Sequence, residues 1–282
     1  MRTGHAGEPG RYPGPVAAPV VEAASRSDVG VRRAVNEDAV IAQWPVYLVA
    51  DGMGGHEAGE LASAAAVRAF AELAGASRLP TIAEVSSAIE RARAAVDDVA
   101  YGTQRGAGCT LTGAVLVAHE GRAQWYVLNI GDSRVYQHRG STLQQITLDH
   151  SLQAELAAAG DAAAERTPRN VITRALGSDD ARHDAWLLPV SAGTRLLICS
   201  DGLTTELSDE ELRAVLAVGG RPEAVAEELV RRACEAGGRD NVTVIVVDTV
   251  SGPAAWAVPA VQGAAAAEET GDETLEVTRP VR

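Results

Sequence analysis

Eight short runs of β-branched and apolar residues constrain this chain more than any other feature. They are "AVIAQW", "VYLVA", "TLTGAVLVAH", "AQWYVLNI", "RVYQH", "AWLLPV", "TRLLICS" and "NVTVIVVDTV". Each has the length and residue types of a strand. Gaps as short as "HEGR" and "HRGS" between neighbours point to hairpins, hence antiparallel pairing. Two long helical patterns interrupt the strands. In the first, Ala62, Ala66, Phe70 and Leu73 share a face; in the second, Ile82, Val85, Ile89, Ala92, Val96 and Val99 form one apolar stripe. A third helix is predicted to start at Ser208, with Glu211 completing a capping box and Leu207 stapling against Leu212. A fourth runs from near Pro222 to Gly237–Gly238. A helix with a single apolar face needs a surface to cover, and sheets are what this chain offers. The expected fold is α+β: a four-layer αββα sandwich of two antiparallel β-sheets flanked by helices.

The strand ends carry the chemistry. Asp51 follows "VYLVA" and is itself followed by four glycines within nine positions; Asp201 follows "LLICS", and Asp132 follows "WYVLNI". Asp240 and Asp38 instead precede their strands, in "RDNVTVIVV" and "NEDAVIAQ". In an antiparallel sheet the end of one strand lies beside the start of its neighbour. Three trailing and two leading aspartates can therefore gather at one edge of the sandwich. Carboxylates that close repel, and their pKa values rise unless cations neutralise them. Hard divalent ions suit an all-oxygen donor set, and no His/Cys set favours zinc. Glycine at Gly52 leaves its carbonyl free to approach such an ion and lets the chain turn tightly.

Taken singly, each of these residues has an ordinary reading. An Asp-Gly after a strand is usually a turn. Arg33 alone is a surface charge, and His56 and His150 alone are solvated or satisfied polar groups. The joint, ordered occurrence is what carries the argument. Composition narrows it further. The net charge of −13 argues against a nucleic-acid or anionic-membrane surface. All 25 basic residues are arginine, so a Walker-type phosphate loop, which needs a lysine, is excluded. Cys109, Cys199 and Cys234 lie far apart and suggest neither disulfides nor a zinc knuckle. None has an arginine six positions on, so a cysteine-dependent phosphatase loop is missing as well, and there is no D-x-D-x-T nucleophile motif. No apolar run reaches membrane-spanning length, and a cytoplasmic, soluble monomer is expected. Residues 1–20 are Gly/Pro-rich and 252–282 are low-complexity, so both are expected to be disordered around one domain at 21–251.

The ordered set "SDVGVRRAVNED", "VADGMGGHEAGELAS", "GCTLTGAVL", "NIGDSRVY", "LDHSL", "RNVITRALG", "CSDGLT" and "GGRDNVTVIVV" resembles the bacterial type 2C (PPM-type) metal-dependent protein serine/threonine phosphatases. The resemblance spans about residues 25–250 and implies the same sandwich, with a metal cluster at one end. It implies that Asp51 bridges two Mn²⁺ or Mg²⁺ ions, that the Gly52 carbonyl binds one of them, and that Asp201 and Asp240 complete the other. Asp38 is implied to hold metal-bound water or to ligate directly, with Glu37 a weaker candidate; Asp132, with Asp201, serves a third ion. Arg33 matches the arginine that grips the substrate phosphate. The implied reaction is hydrolysis of phosphoserine or phosphothreonine monoesters by direct attack of a water bridging two ions, without a phosphoenzyme. Implied partners are phosphorylated proteins, a serine/threonine kinase and its substrates among them. Two departures stand out: Met53 occupies the position where eukaryotic relatives place a histidine, and Thr167 in "ERTPRN" stands where relatives often carry one. The alternatives are a non-catalytic regulatory or phosphoprotein-binding module on the same scaffold, and an acidic structural domain whose aspartates only make turns.

Overall fold

The computed structural model describes residues 18–54, 57–103, 106–252 and 274–275. Strands β1 (Val20–Asp28), β12 (Val242–Ser251), β11 (Arg195–Cys199), β8 (Arg134–Arg139) and β9 (Thr142–Gln145) form one antiparallel sheet in that order. The second sheet runs β13 (Thr274–Leu275), β10 (Asp184–Pro189), β7 (Arg122–Ile130), β6 (Leu111–His119), β3 (Val46–Ala50) and β2 (Ala39–Gln43). It is antiparallel except where β13 joins β10. A two-stranded ladder of β4 (Gly52–Met53) and β5 (Gly108–Cys109) extends it at the site end.

Three apolar layers bind the sandwich, and alternation along the strands assigns residues to them. Tyr47, Val49, Leu116, Trp125, Ile198 and Ile245 fill the space between the sheets. Their neighbours Leu48, Val115 and Leu128 face outward, against α1 (Glu57–Arg68) and α2 (Ile82–Tyr101). On the other side Leu197, Val244 and Val246 meet α5 (Asp209–Val218) and α6 (Pro222–Ala236). This is the αββα order expected from the hairpins and the one-faced helices. The predicted helix signals are present as bonds: Ser208 accepts from the Glu211 N–H while the Glu211 side chain accepts from the Ser208 N–H, and Leu207 and Leu212 are both buried.

Strand patterning did not find β1 or β9. Both are edge strands, and their sequences "VVEAASRSD" and "TLQQ" are largely polar because one flank faces solvent. It also missed α3 (Leu152–Ala158), the 3-10 turn Ala162–Arg166 and the one-turn α4 (Asp201–Thr204), which are too short for a period to register. The expectation of disorder falls mostly on residues 1–17 and 253–282, outside the described residues apart from the Thr274–Leu275 backbone.

Candidate metal centre

The sheets deliver the five aspartates to one end of the sandwich. β3 ends at Ala50, and Asp51 is fixed there by two bonds to Thr110: its N–H donates to the Thr110 hydroxyl at 2.9 Å, and its carbonyl accepts the Thr110 N–H at 2.9 Å. The Thr110 hydroxyl also meets that of Ser133, 3.0 Å away and next to Asp132. Asp201 opens α4 where β11 stops, and Asp240 lies just before β12. Asp38, just before β2, is held across the sandwich by Ser200, whose hydroxyl donates to Asp38 Oδ2 at 2.9 Å and accepts the Thr243 N–H at 3.0 Å. Asn241 pins the chain between β1 and β2 to the start of β12. Its Oδ1 accepts the Glu37 N–H at 2.9 Å, and its Nδ2 donates to the carbonyls of Val29 and Val35.

Two glycines let these segments close up. A side chain at Gly52 would collide with the carbonyl oxygens of Gly59 and Glu37, and one at Gly202 with the Asn241 carbonyl. Gly52 continues into β4 rather than into a turn, so its lack of a side chain serves the packing of α1 against the site. That corrects the turn expected there.

The electrostatics are those of crowded carboxyls. Burial, then Asp38, Asp201, Asp132 and Asp240 in that order, hold Asp51 well above the usual carboxylate range. Burial is also the largest cause for Asp38 and Asp132, each pushed up to about 7, with Asp201 adding to both. Asp201 is raised by burial and then by Asp240, with the neighbouring Asp51 carboxyl offsetting part of that rise. The expected rise is present at these four carboxyls, and loss of water is the largest single cause of it at each. Among the described residues Arg33 is the basic group paired with one of these aspartates: its Nη2 donates to Asp240 Oδ2 at 2.7 Å, with both side chains partly exposed.

Divalent cations fit this set. Asp38 Oδ1 and Asp201 Oδ1 are buried oxygens without a hydrogen-bond partner among the described residues. A hard cation is the partner that would relieve both their desolvation and their repulsion. The carboxylates are gathered rather than closed: among the described residues no three Asp, Glu, His or Cys side chains are already disposed as a coordination shell. Thiol chemistry has no place here, since Cys109 and Cys199 are fully buried and burial pushes the Cys199 thiol up to about 12 and that of Cys109 higher still. His56 lies outside the described residues. Thr167 donates to the Ala163 carbonyl at 2.9 Å, closing the 3-10 turn. Sequence reading assigned no role to Thr110, Ser133, Ser200, Asn241 or Thr243. Their only signal was proximity to the aspartates within the quoted motifs.

Comparison with known proteins agrees with this geometry. The family model described as Protein phosphatase 2C matches residues 24–236. The chain is 36% identical over 258 residues to the serine/threonine protein phosphatase PstP of Mycobacterium tuberculosis, covering 89% of this chain and 49% of that protein. It thus spans about half the length of that curated relative. It is 34% identical over 239 residues to the protein phosphatase PhpP of Streptococcus pneumoniae, covering 78% of this chain and 94% of the relative. Among solved structures, the catalytic domain of PstP in complex with two manganese ions superposes with a TM-score of 0.75 at 34% identity, over 83% of this chain and all of that one.

Proposed function

The chain belongs to the protein phosphatase 2C family, and from that premise we propose that it is a metal-dependent phosphoprotein phosphatase hydrolysing phosphoserine and phosphothreonine monoesters. The observation that carries the reading is the convergence of Asp38, Asp51, Asp132, Asp201 and Asp240 at one end of the sandwich, with raised carboxyl pKa values at the first four, unpartnered oxygens on Asp38 and Asp201, and Arg33 paired to Asp240.

Asp51, Asp201, Asp240, Asp38 and the Gly52 carbonyl would hold two Mn²⁺ or Mg²⁺ ions, and Asp132 with Asp201 a third. When bound, the cations supply Lewis acidity, lowering the pKa of a shared water and offsetting charge on the phosphoryl oxygens. The chain supplies the rest. Arg33 stands exposed at the rim, and its planar fork suits two phosphate oxygens. It is already bonded to Asp240 at the site, so a substrate phosphate would compete with that carboxylate for the guanidinium. Ser200 orients Asp38, and Asn241 holds the backbone on either side of Arg33 and up to the residue before Asp38. With Cys109 and Cys199 buried and protonated, neither of the thiols beside the aspartates competes with water as the nucleophile, which supports direct hydrolysis without a phosphoenzyme. Phosphorylated proteins are the proposed substrates, a serine/threonine kinase and its targets among them. A non-catalytic binding module would have no need of the complete carboxylate set.

The test is a phosphopeptide assay with a Mn²⁺ titration and a chelator control, run beside Asp51→Asn. The parent should release phosphate only with the cation, and the variant should release none while remaining folded. Phosphate release that is indifferent to chelator, or retained in Asp51→Asn, would remove the proposal.

A further inference from the structure

Just outside the proposed ligands, one buried histidine holds the peptide that precedes Asp132. The Gly131 carbonyl accepts the backbone N–H of His150 at 2.9 Å and Nδ2 of Asn129 at 3.0 Å, while the Gly131 N–H donates to Nδ1 of His150 at 3.1 Å. Both polar groups of that residue are therefore engaged, two of the three bonds coming from His150. An N–H can donate to Nδ1 only if that nitrogen carries no proton, so the ring proton sits on Nε2. Nε2 faces Asp184 Oδ2 at 3.2 Å, at the start of β10. Arg174 Nη1 donates to the other oxygen of Asp184 at 2.9 Å. It also comes within 3.4 Å of Nε2, but two donors face each other there, so that approach is a contact and not a bond. The His150 carbonyl accepts the Thr173 N–H at 2.9 Å, and Leu152 N–H donates to Val171. The stretch 171–184 is thus fastened along His150, which is 4% exposed.

We propose that His150 is a positioning residue: it fixes the Gly131 peptide, and so the direction in which Asp132 presents its carboxylate, and through Asp184 and Arg174 it makes that direction depend on the placement of residues 171–184. The inference rests on the reading of Asp132 as a ligand of the third cation, which two carboxylates, Asp132 and Asp201, would hold more weakly than the larger donor set holds the other two. The physical reason is leverage. A carboxylate on a short linker between β7 and β8 is aimed by its backbone, and a rotated peptide at Gly131 would swing it away from Asp201. A group that orients a ligand without touching the ion changes affinity by about 10- to 100-fold when it is lost. A merely structural histidine would lower the unfolding temperature and leave cation binding as it was.

The test is calorimetric titration of the full chain with Mn²⁺, beside Asp132→Asn, His150→Leu, His150→Asn and Arg174→Leu. Asp132→Asn should abolish the weakest cation site. His150→Leu should weaken that site about tenfold and leave the tighter binding unchanged. His150→Asn, which restores an acceptor where Nδ1 stood, should recover most of the loss, and Arg174→Leu should fall between. An isotherm identical to the parent's for His150→Leu overturns the proposal while leaving the cation reading of Asp132 standing. An isotherm unchanged by Asp132→Asn overturns both, and cation-dependent phosphate release by the parent remains a separate check on the activity. A second measurement needs no variant that must fold. The imidazole nitrogen spectrum of the unsubstituted chain should show His150 with its proton on Nε2, and the Gly131 amide should be protected from exchange. A proton on Nδ1, or an amide exchanging as fast as a solvated loop, also overturns the proposal.

Discussion

Strands β8, β11 and β12 carry partly or wholly buried charge at both ends, and the two ends deal with it differently. At the end away from the aspartate cluster, Arg195 of β11 lies between its cross-strand neighbours Asp248 and His138. Its Nε and Nη2 grip the two oxygens of Asp248 at 2.6 and 2.7 Å. Its remaining donors reach the carbonyls of Leu216 and Gly220, around the end of α5. Roughly 13 Å along the same strand, Asp201 follows β11, Asp240 precedes β12 and Asp132 precedes β8, and only Arg33 makes an ion pair with any of them among the described residues. A charge buried with its partner joins elements of the fold together. Charges gathered without partners raise the energy of the fold until something cationic arrives, which is how a binding site differs from a structural ion pair made of the same residue types.

The widest separation between the two ends should come from Asp201→Asn set against Arg195→Met. Asp201→Asn should cost on the order of a thousandfold in turnover, while the cation-free chain loses no stability because one repelled carboxyl has gone. Arg195→Met should do the reverse. Stranding Asp248 and the end of α5 costs about 3–5 kcal/mol, or roughly 10 °C in unfolding temperature for a domain of this size, with turnover near the parent's at low temperature. Thermal unfolding and steady-state kinetics on both variants decide it. If Asp201→Asn proves the more destabilising of the two, the near end is a structural joint and the comparison collapses.

Much of this was legible in the sequence, for identifiable reasons. Hairpin gaps and one-faced helices specify layers, because apolar stripes must be covered; alternation puts Leu48 and Tyr47 on opposite faces, but in an all-apolar strand it does not say that Leu48 meets the helices and Tyr47 the other sheet. The aspartates were legible because strand termini are where an antiparallel sheet brings distant residues together. What sits between them was not. Ser200, Thr243 and Asn241 act through bonds to residues more than 30 positions away, and a lone Ser or Asn in a sequence carries no sign of its partner. The same is true of Gly52, whose role depends on Gly59 arriving from α1. His150 read as an ordinary polar residue because its partners Gly131 and Asp184 lie on other elements.

The two ends should also answer pH with opposite signs, a smaller effect that sharpens the comparison. Asp38 and Asp132, ordinarily near 3.8, are pushed up to about 7, first by burial and then by neighbouring carboxyls. Between about pH 4 and 7 the folded chain therefore holds protons that the unfolded chain has released. Their contribution to stability is full below the unfolded value and is lost as pH rises through about 7. His138 at the far end runs the other way. Burial, then Arg195 and Arg213, hold it below its ordinary 6.5, so the unfolded chain takes up the proton first and stability is lost as pH falls below 6.5. In chelator, the urea midpoint should accordingly drop from pH 5.5 to 8 by the equivalent of about 3 kcal/mol, because two carboxyls outweigh one imidazole. Saturating Mn²⁺ should cancel that slope and leave the weaker His138 trend, a midpoint that rises toward pH 6.5. His138→Gln should then flatten what remains. A chelated chain that gains stability on going from pH 5.5 to 8 would mean that its aspartates are already neutralised by the fold, and that nothing at the near end is waiting for a cation.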